Sequence, residues 1–304
     1  MVSFNTRDLT LKALETLLAH AGDITMRVIV VDNASADGSA DAIAQTFPQV
    51  DLVRSEENLG FARANNLAAE MVTSEWIVLL NPDTETHPGA IRNLVDFGRA
   101  HPQAGIVGGR TVFRDGSTNI ASCWNRMTVW SLLCSVSGLT SMLPSSATFN
   151  PEGMGGWQRD SVRHADIIVG CLLAIPTRLW RKLDGFDPRY VMYGEDYDLC
   201  LRAADLGYRP MITPDAQIMH LVGAASATRA DKLVSVYRSK ATIIRDHWSG
   251  IAAPIGLALL WAKIALRKIA FPLKSALGKS DPRTQTWRDV WQHRRTILKG
   301  YPDV

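Results

Sequence analysis

The sequence predicts an α/β fold, a mixed, mainly parallel sheet flanked by helices, with a basic helical extension at its C-terminal end. Three observations predict it. Short β-branched runs alternate with helical patterns, each run stops at turn residues and carboxylates, and positive charge gathers in residues 251–304.

Leu9, Leu14, Leu17 and Leu18 recur at helical spacing and predict a first helix with one apolar face. Residues 26–32 (MRVIVVD) read as a buried strand, followed by the turn and cap residues of 33–39 and a helix start. The pattern repeats: a strand over 50–54, a helix over 62–71, and a strand over 75–80 that stops at Asn81-Pro82-Asp83. Over 111–160 periodicity is weak and Gly, Ser, Met and Trp are frequent, so this stretch reads as a long acceptor-side excursion. Regularity returns with a buried strand over 165–175, short helices over 177–183 and 195–206, and an extended segment 211–220 broken by Pro214. A catalytic domain over 1–246 is expected, with a nucleotide-binding half (1–110) and an acceptor half (111–246), and then a tail over 247–304.

Composition excludes several classes. At 304 residues and 46% hydrophobic content the chain can bury a large core. Cys123, Cys134, Cys171 and Cys200 show no paired spacing, so neither a zinc site nor a disulfide framework is expected, and a reducing cytoplasm fits. Arg7 and Asp8 interrupt the N-terminus, which carries no secretory pattern. The net charge of +3 divides into +7 over 251–304 and −4 over the rest, and no nucleic-acid partner is expected.

In open sheets, ligands collect at the carboxyl ends of strands. Asn5, Asp32, residues 58–65 and Asp83 all fall at or just after predicted strand ends. A carboxylate leaving a buried strand needs a cation or donors. Asp83 reads either as a ligand for Mg²⁺ or Mn²⁺ that bridges to a diphosphate or as a turn residue, since Asn-Pro-Asp-Thr is good turn chemistry. Asp32 has the same two readings. Gly60 sits where backbone could approach a ligand, with Arg63 and Asn65 on the first turn of the helix that follows. Glu195 and Asp196 open a helix, where they act as caps or where one takes a proton from an acceptor hydroxyl. His220 ends an apolar segment as a structural histidine or a metal ligand.

Together, the strand-end Asp32, NLGFARANN, the N-P-D after a strand, G-F-D at 185–187, E-D-Y-D-L at 195–199 and His220 resemble, in order and spacing, the family 2 glycosyltransferases, which have the GT-A fold. The resemblance runs from Val2 to about His220. It implies that Phe4, Asn5 and Asp32 hold the nucleotide base and that Gly60, Arg63 and Asn65 contact the nucleotide. It further implies that Asp83 and His220 hold Mg²⁺ or Mn²⁺, that Asp196 is the base, and that Glu195 supports it. Direct displacement with inversion follows. Two departures stand out: Asn81 replaces the usual first acid of the metal motif, and Met1 stands where members have a longer apolar run, so the first strand is a stub or the natural start lies upstream. VSFNTRD, VDNAS and NLGFARANN are most similar to bacterial rhamnosyltransferase-type members that build cell-surface polysaccharide. The resemblance thus implies a dTDP- or UDP-sugar donor, with dTDP-L-rhamnose preferred, and a saccharide or lipid-linked saccharide acceptor.

In the tail, Lys263, Arg267, Lys268 and Lys274 with Trp261, Ile264, Leu266 and Ile269 form either an interfacial helix on the inner leaflet of the cytoplasmic membrane, through 251–274, or a helix packed on the domain. Two other classes compete: a non-catalytic nucleotide-sugar binding protein, which would lack the base, and a sugar nucleotidyltransferase, which would need a glycine-rich phosphate loop near its start.

Overall fold

The computed structural model describes residues 1–22, 24–221, 229–276 and 283–302, with the backbone alone over 272–276. The side chain of Lys274, counted among the tail cations, lies outside the described residues. In chain order the elements begin β1 (Val2–Ser3), α1 (Arg7–Ala19), β2 (Ile29–Asp32), α2 (Ser39–Thr46), β3 (Asp51–Arg54), α3 (Gly60–Glu70), β4 (Trp76–Leu80) and β5 (Thr84–Thr86). Next come α4 (Ala90–Ala100), β6 (Val107–Val112), β7 (Thr118–Asn119), β8 (Cys123–Trp124), α5 (Val129–Ser137) and α6 (Leu139–Met142). After these are β9 (Arg163–His164), β10 (Ile167–Ile168), β11 (Leu172–Pro176), α7 (Thr177–Lys182), α8 (Glu195–Asp205) and β12 (Met211–His220). Four helices end the chain: α9 (Arg229–His247), α10 (Ala252–Ala276), α11 (Arg283–Gln292) and α12 (Arg294–Lys299).

The chain forms two compact units. The first comprises Met1–Trp124, Gln158–Val191 and Glu195–Ala225; the second comprises Asn125–Trp157, Met192–Gly194 and Ser226–Val304. In the first, β1, β2 and β3 pair in parallel, with Val2 opposite Val31 and Ile29 opposite Asp51. The β-branched Val30 and Val31 are fully buried, as a strand covered on both faces requires. A larger mixed sheet runs β4-β11-β6-β12-β5, with β7 on β6 and β9 on β12. Parallel pairing there is confined to β6 and β12; the other pairs are antiparallel.

Two predicted strands differ in detail. The apolar run 165–175 is divided into β10, which pairs with β8, and β11, which pairs with β4 and β6, and the division falls at Val169-Gly170-Cys171. Pro214 does not break 211–220: β12 is continuous, and the proline falls in a bulge between Thr213 and Gln217. On α1, Leu14 and Leu17 are buried with Ala13, and Leu9 and Leu18 flank them half-buried.

The second unit is helical. The excursion predicted over 111–160 contributes α5 and α6 to it, and α5 packs on α10, as do α9 and α11. Thr128 caps α5 with its hydroxyl on the Ser131 amide, and Ser131 returns the bond, a reciprocal cap typical of an independent helix start. Tyr237, Leu260, Ile264, Phe271, Trp287 and Val290 form its core.

Candidate functional site

The tight turn Asn81-Pro82-Asp83-Thr84 ends β4 and starts β5, and the Thr84 hydroxyl closes it by donating to the Asn81 carbonyl at 2.7 Å. β5 then pairs antiparallel with the end of β12, Thr84 opposite His220. That register brings together two residues far apart in sequence: Asp83 Oδ1 lies 3.2 Å from His220 Nε2, and both side chains are about nine-tenths buried. Burial alone would lower the imidazolium pKa, but interactions with Asp83 and Cys171 outweigh it and push His220 up to about 10. The imidazolium proton thus occupies the place a cation would take. Two ligands each about 2.1 Å from one ion and at right angles to each other are about 3 Å apart, so the observed spacing fits a shared divalent ion. Asn81 Oδ1 is buried without a hydrogen-bond partner among the described residues, an available third oxygen. No group of three or more His, Cys, Asp or Glu gathers anywhere among the described residues. Such an ion would therefore complete its shell with donor phosphate oxygens and water, the usual situation for Mg²⁺ at a diphosphate.

The break between β10 and β11 connects this pair to the second acidic group. Cys171 acts on His220 electrostatically and its carbonyl accepts from the Asn81 amide at 3.2 Å, while the amide of Gly170 donates to Asp196 Oδ2 at 3.1 Å. The other Asp196 oxygen accepts from the Tyr197 amide at 2.8 Å. Asp196 is half-buried and so remains reachable; Glu195 is 5% exposed, and its Oε2 has no partner among the described residues. Burial raises both carboxyl groups, Glu195 well above its ordinary range with Asp196 adding repulsion, and Asp196 against the opposing pull of the Gly170 and Tyr197 amides. No hydrogen bond joins the two carboxyl groups among those described.

The remaining acids of the segment are structural. Asp198 binds Arg202 at 2.7 Å, and Arg202 also donates to the Leu183 and Gly185 carbonyls, which fixes the Gly185-Phe186-Asp187 turn against α8. Asn66 exchanges two bonds with the Phe186 backbone, at 2.8 and 2.9 Å. Asp187 holds its neighbour Arg189 through two guanidinium nitrogens.

At the carboxyl end of β2, Asp32 is 3% exposed; its Oδ2 accepts from the Ser35 amide at 3.1 Å, and its Oδ1 has no partner among the described residues. That leaves a buried acceptor. Asn5 sits at φ 51° with its Oδ1 accepting from the Ala36 amide at 2.8 Å, so its side chain bridges two loops, and Phe4 beside it is half-buried. Asn33, passed over as a loop residue in the sequence, ties this rim to the next. Its amide donates to Asn58 Oδ1 at 2.9 Å and to the Gly60 carbonyl at 3.2 Å, and its Oδ1 accepts from the Leu59 amide at 2.8 Å.

Gly60 departs from expectation. A Cβ there would lie 2.5 Å from the Val191 carbonyl, and φ is +76°, so the glycine admits the chain of the GFD segment rather than an open ligand space. Because α3 starts at Gly60, Arg63 is its fourth residue, exposed, and Asn65 falls in the second turn, buried, with its amide on the Phe61 carbonyl at 2.9 Å. Asn65 therefore supports the helix, and Arg63 remains the cation available on this rim.

A family model described as "Glycosyl transferase family 2" matches residues 1–165. The N-acetylglucosaminyl-diphospho-decaprenol L-rhamnosyltransferase of Mycobacterium tuberculosis is 29% identical over 78% of this chain and 81% of its own length. The O-antigen biosynthesis protein RfbC of Myxococcus xanthus is 25% identical over 83% of this chain, which spans 18% of that much longer protein. Among solved structures, the mannosyltransferase PcManGT of Pyrobaculum calidifontis, in complex with GDP-Man and Mn²⁺, superposes with a TM-score of 0.57 at 21% identity, covering 98% of this chain and 84% of that one. TarS 1-349 of S. aureus, in complex with UDP-GlcNAc, gives 0.55 at 16% identity over 98% and 80%. These likenesses identify the fold as GT-A.

Proposed function

As the chain belongs to glycosyltransferase family 2, we propose that it is an inverting enzyme that transfers L-rhamnose from dTDP-L-rhamnose to a glycan or lipid-linked glycan acceptor in cell-surface polysaccharide synthesis. The observation that carries this reading is the Asp83–His220 pair together with the consecutive Gly170 and Cys171, of which Cys171 accepts from the Asn81 amide and Gly170 donates to Asp196. The choice of rhamnose is supported by likeness to the mycobacterial rhamnosyltransferase.

In this mechanism Asp32 Oδ1 accepts a hydrogen bond from the imide N–H of a thymine or uracil base, with Phe4 and Asn5 shaping the loop beside it. Arg63 faces the diphosphate, while Gly60 and Asn65 hold the rim that presents it. Asp83 and His220, with Asn81 as a third donor, would hold Mg²⁺ or Mn²⁺, and that ion supplies Lewis-acid stabilisation of the charge on the departing diphosphate. Asp196 takes the proton of the acceptor hydroxyl. Its two amide donors fix the carboxylate plane, and its raised pKa brings its basicity closer to that of a working general base. Glu195, buried beside Asp196 at the start of α8 and without a hydrogen bond to it, is a supporting residue rather than the base. We further assign 1–110 to nucleotide binding, 111–246 to the acceptor and 247–304 to a tail.

No helix among the described residues is long and apolar enough to cross a membrane. Peripheral contact with an inner leaflet is supported by a sharper feature than the one the sequence suggested. Ile264 is fully buried and Lys263 packs inside the second unit, so neither faces outward. Ile255, Leu266 and Ile269, at 39%, 50% and 60% exposure, fall within about 60° on α10, a helix with no acidic residue, and form an apolar stripe.

Thermal shift against a panel of nucleotide sugars, with and without Mn²⁺, tests the donor assignment. dTDP-L-rhamnose should stabilise the protein most and then yield dTDP in the presence of acceptor; stabilisation by another sugar nucleotide alone would overturn it.

A further inference from the structure

The second unit contains a cluster of cations that the proposed chemistry does not use. Lys240 from α9, Lys263 and Arg267 from α10, Ser135 from α5 and Glu152 from the turn after residue 150 converge beside Tyr237. Lys240 Nζ lies 2.6 Å from Glu152 Oε1, with both side chains 25% exposed. Lys263 Nζ contacts the Ser135 hydroxyl and stands 5.7 Å from the centre of the Tyr237 ring. Arg267 is one helical turn further along, its guanidinium 5.8 Å from the centre of the Phe271 ring, and its charge acts on both Lys263 and Tyr237.

The charges do not balance. Among the described residues three cations meet one carboxylate, and that carboxylate is already engaged by Lys240. Burial, with repulsion from Lys240 and Arg267, pulls Lys263 down to about 8 against the attraction of Glu152. Burial also pushes the Tyr237 phenol up, so it stays neutral and cannot offset the excess. A partly buried, uncompensated positive charge is costly unless an anion meets it, and a methionine of similar shape would fill the same space at no electrostatic cost. The donors present are two ammonium groups, a guanidinium and a hydroxyl, a set suited to tetrahedral oxyanions. An excess of two charges matches a phosphoryl or diphosphoryl group better than a carboxylate.

We propose that Lys240, Lys263, Arg267 and Ser135 form a binding site for a phosphate-class dianion. The site stands on contacts within the second unit. Its assignment to the diphosphate of a lipid-linked acceptor rests on the transferase reading above, and the two can fail separately.

The test is thermal shift and calorimetry on the full chain in EDTA with saturating dTDP, which removes metal and fills any donor site, and with inorganic pyrophosphate as probe against chloride at matched ionic strength. The wild-type midpoint should rise by several degrees at about 100-fold excess over the dissociation constant. Lys263→Met should be more heat-stable than wild type before any addition and should bind pyrophosphate at least tenfold more weakly. Arg267→Gln, a milder change, should also weaken binding at least tenfold and guards against a folding defect in the first variant. Equal pyrophosphate affinity in wild type and both variants would overturn the site. A short-chain prenyl diphosphate should bind at least tenfold more tightly than pyrophosphate; equal affinity would overturn the acceptor assignment and leave a site for free phosphate-class ligands. Failure of dTDP to bind would count against the dTDP-sugar donor of the transferase reading alone, since the comparison between wild type and variants does not depend on it.

Discussion

Glu195 and Asp196 are adjacent carboxyl groups with opposite accessibility, and amide substitution separates their roles. Asp196→Asn removes a carboxylate that is both reachable and held by two backbone amides. Loss of a general base lowers turnover about 10²- to 10⁴-fold, equivalent to about 3–5 kcal/mol of barrier. The fold should tolerate it. Asparagine keeps one acceptor oxygen and forfeits one amide bond, about 1 kcal/mol, partly offset because burial already disfavours the charged form. Glu195→Gln should do the reverse. Its Oε2 has no partner to lose and its ionised form is penalised by burial and then by Asp196, so the amide should leave turnover within about tenfold and raise stability at neutral pH. The pH dependence has a definite sign. Between the unfolded glutamate value, about 4.3, and its higher folded value the native state binds more protons than the unfolded chain. Wild-type stability therefore falls as pH rises through that window, and the gap to Glu195→Gln widens before it levels off. The acid limb of kcat should lie above the ordinary aspartate range, because Asp196 is raised. Released nucleotide diphosphate measured over pH 5–9, with calorimetry on the same samples, reads both effects. Near-wild-type turnover in Asp196→Asn, or an equal loss in Glu195→Gln, would refute the assignment.

Two structural predictions concern the nucleotide rim. Asn33→Ala breaks three bonds to Asn58, Leu59 and Gly60 at a site 2% exposed, and should cost about 2–4 kcal/mol by chemical denaturation while weakening nucleotide binding; an unchanged denaturation midpoint would contradict the bridge. Gly60→Ala combines φ +76° with a Cβ 2.5 Å from the Val191 carbonyl, and should cost at least about 1–2 kcal/mol; a neutral effect would mean that the GFD segment does not pack there.

Much of the candidate site was legible because its proposed chemistry sits on short motifs at strand ends. Asp32, Asp83 and Asp196 could be picked out from turn chemistry and order, yet nothing local says that Asp83 touches His220. That contact is made by β5, three residues long and too short to show a period. Gly170 and Cys171 were hidden inside ADIIVGCLLAI, an apolar run whose composition does not reveal where one strand ends and another begins. The glycine was the available signal. Gly60 shows the opposite error: a glycine before a helix suggests a ligand, but the same freedom of φ serves close packing of backbone on backbone. In the second unit, α5 and α10 are apolar segments more than a hundred residues apart, and their pairing follows from packing that no single stretch of sequence records.

The central claim, that Asp83 and His220 hold the ion that carries the departing diphosphate, is tested most directly by the paramagnetic resonance of Mn²⁺ titrated into the protein with saturating dTDP. The account predicts that the wild-type chain takes up about one ion, more tightly with dTDP than without, because part of the shell comes from the diphosphate. It also predicts that Asp83→Asn loses that ion. Equal Mn²⁺ binding in wild type and Asp83→Asn would contradict it.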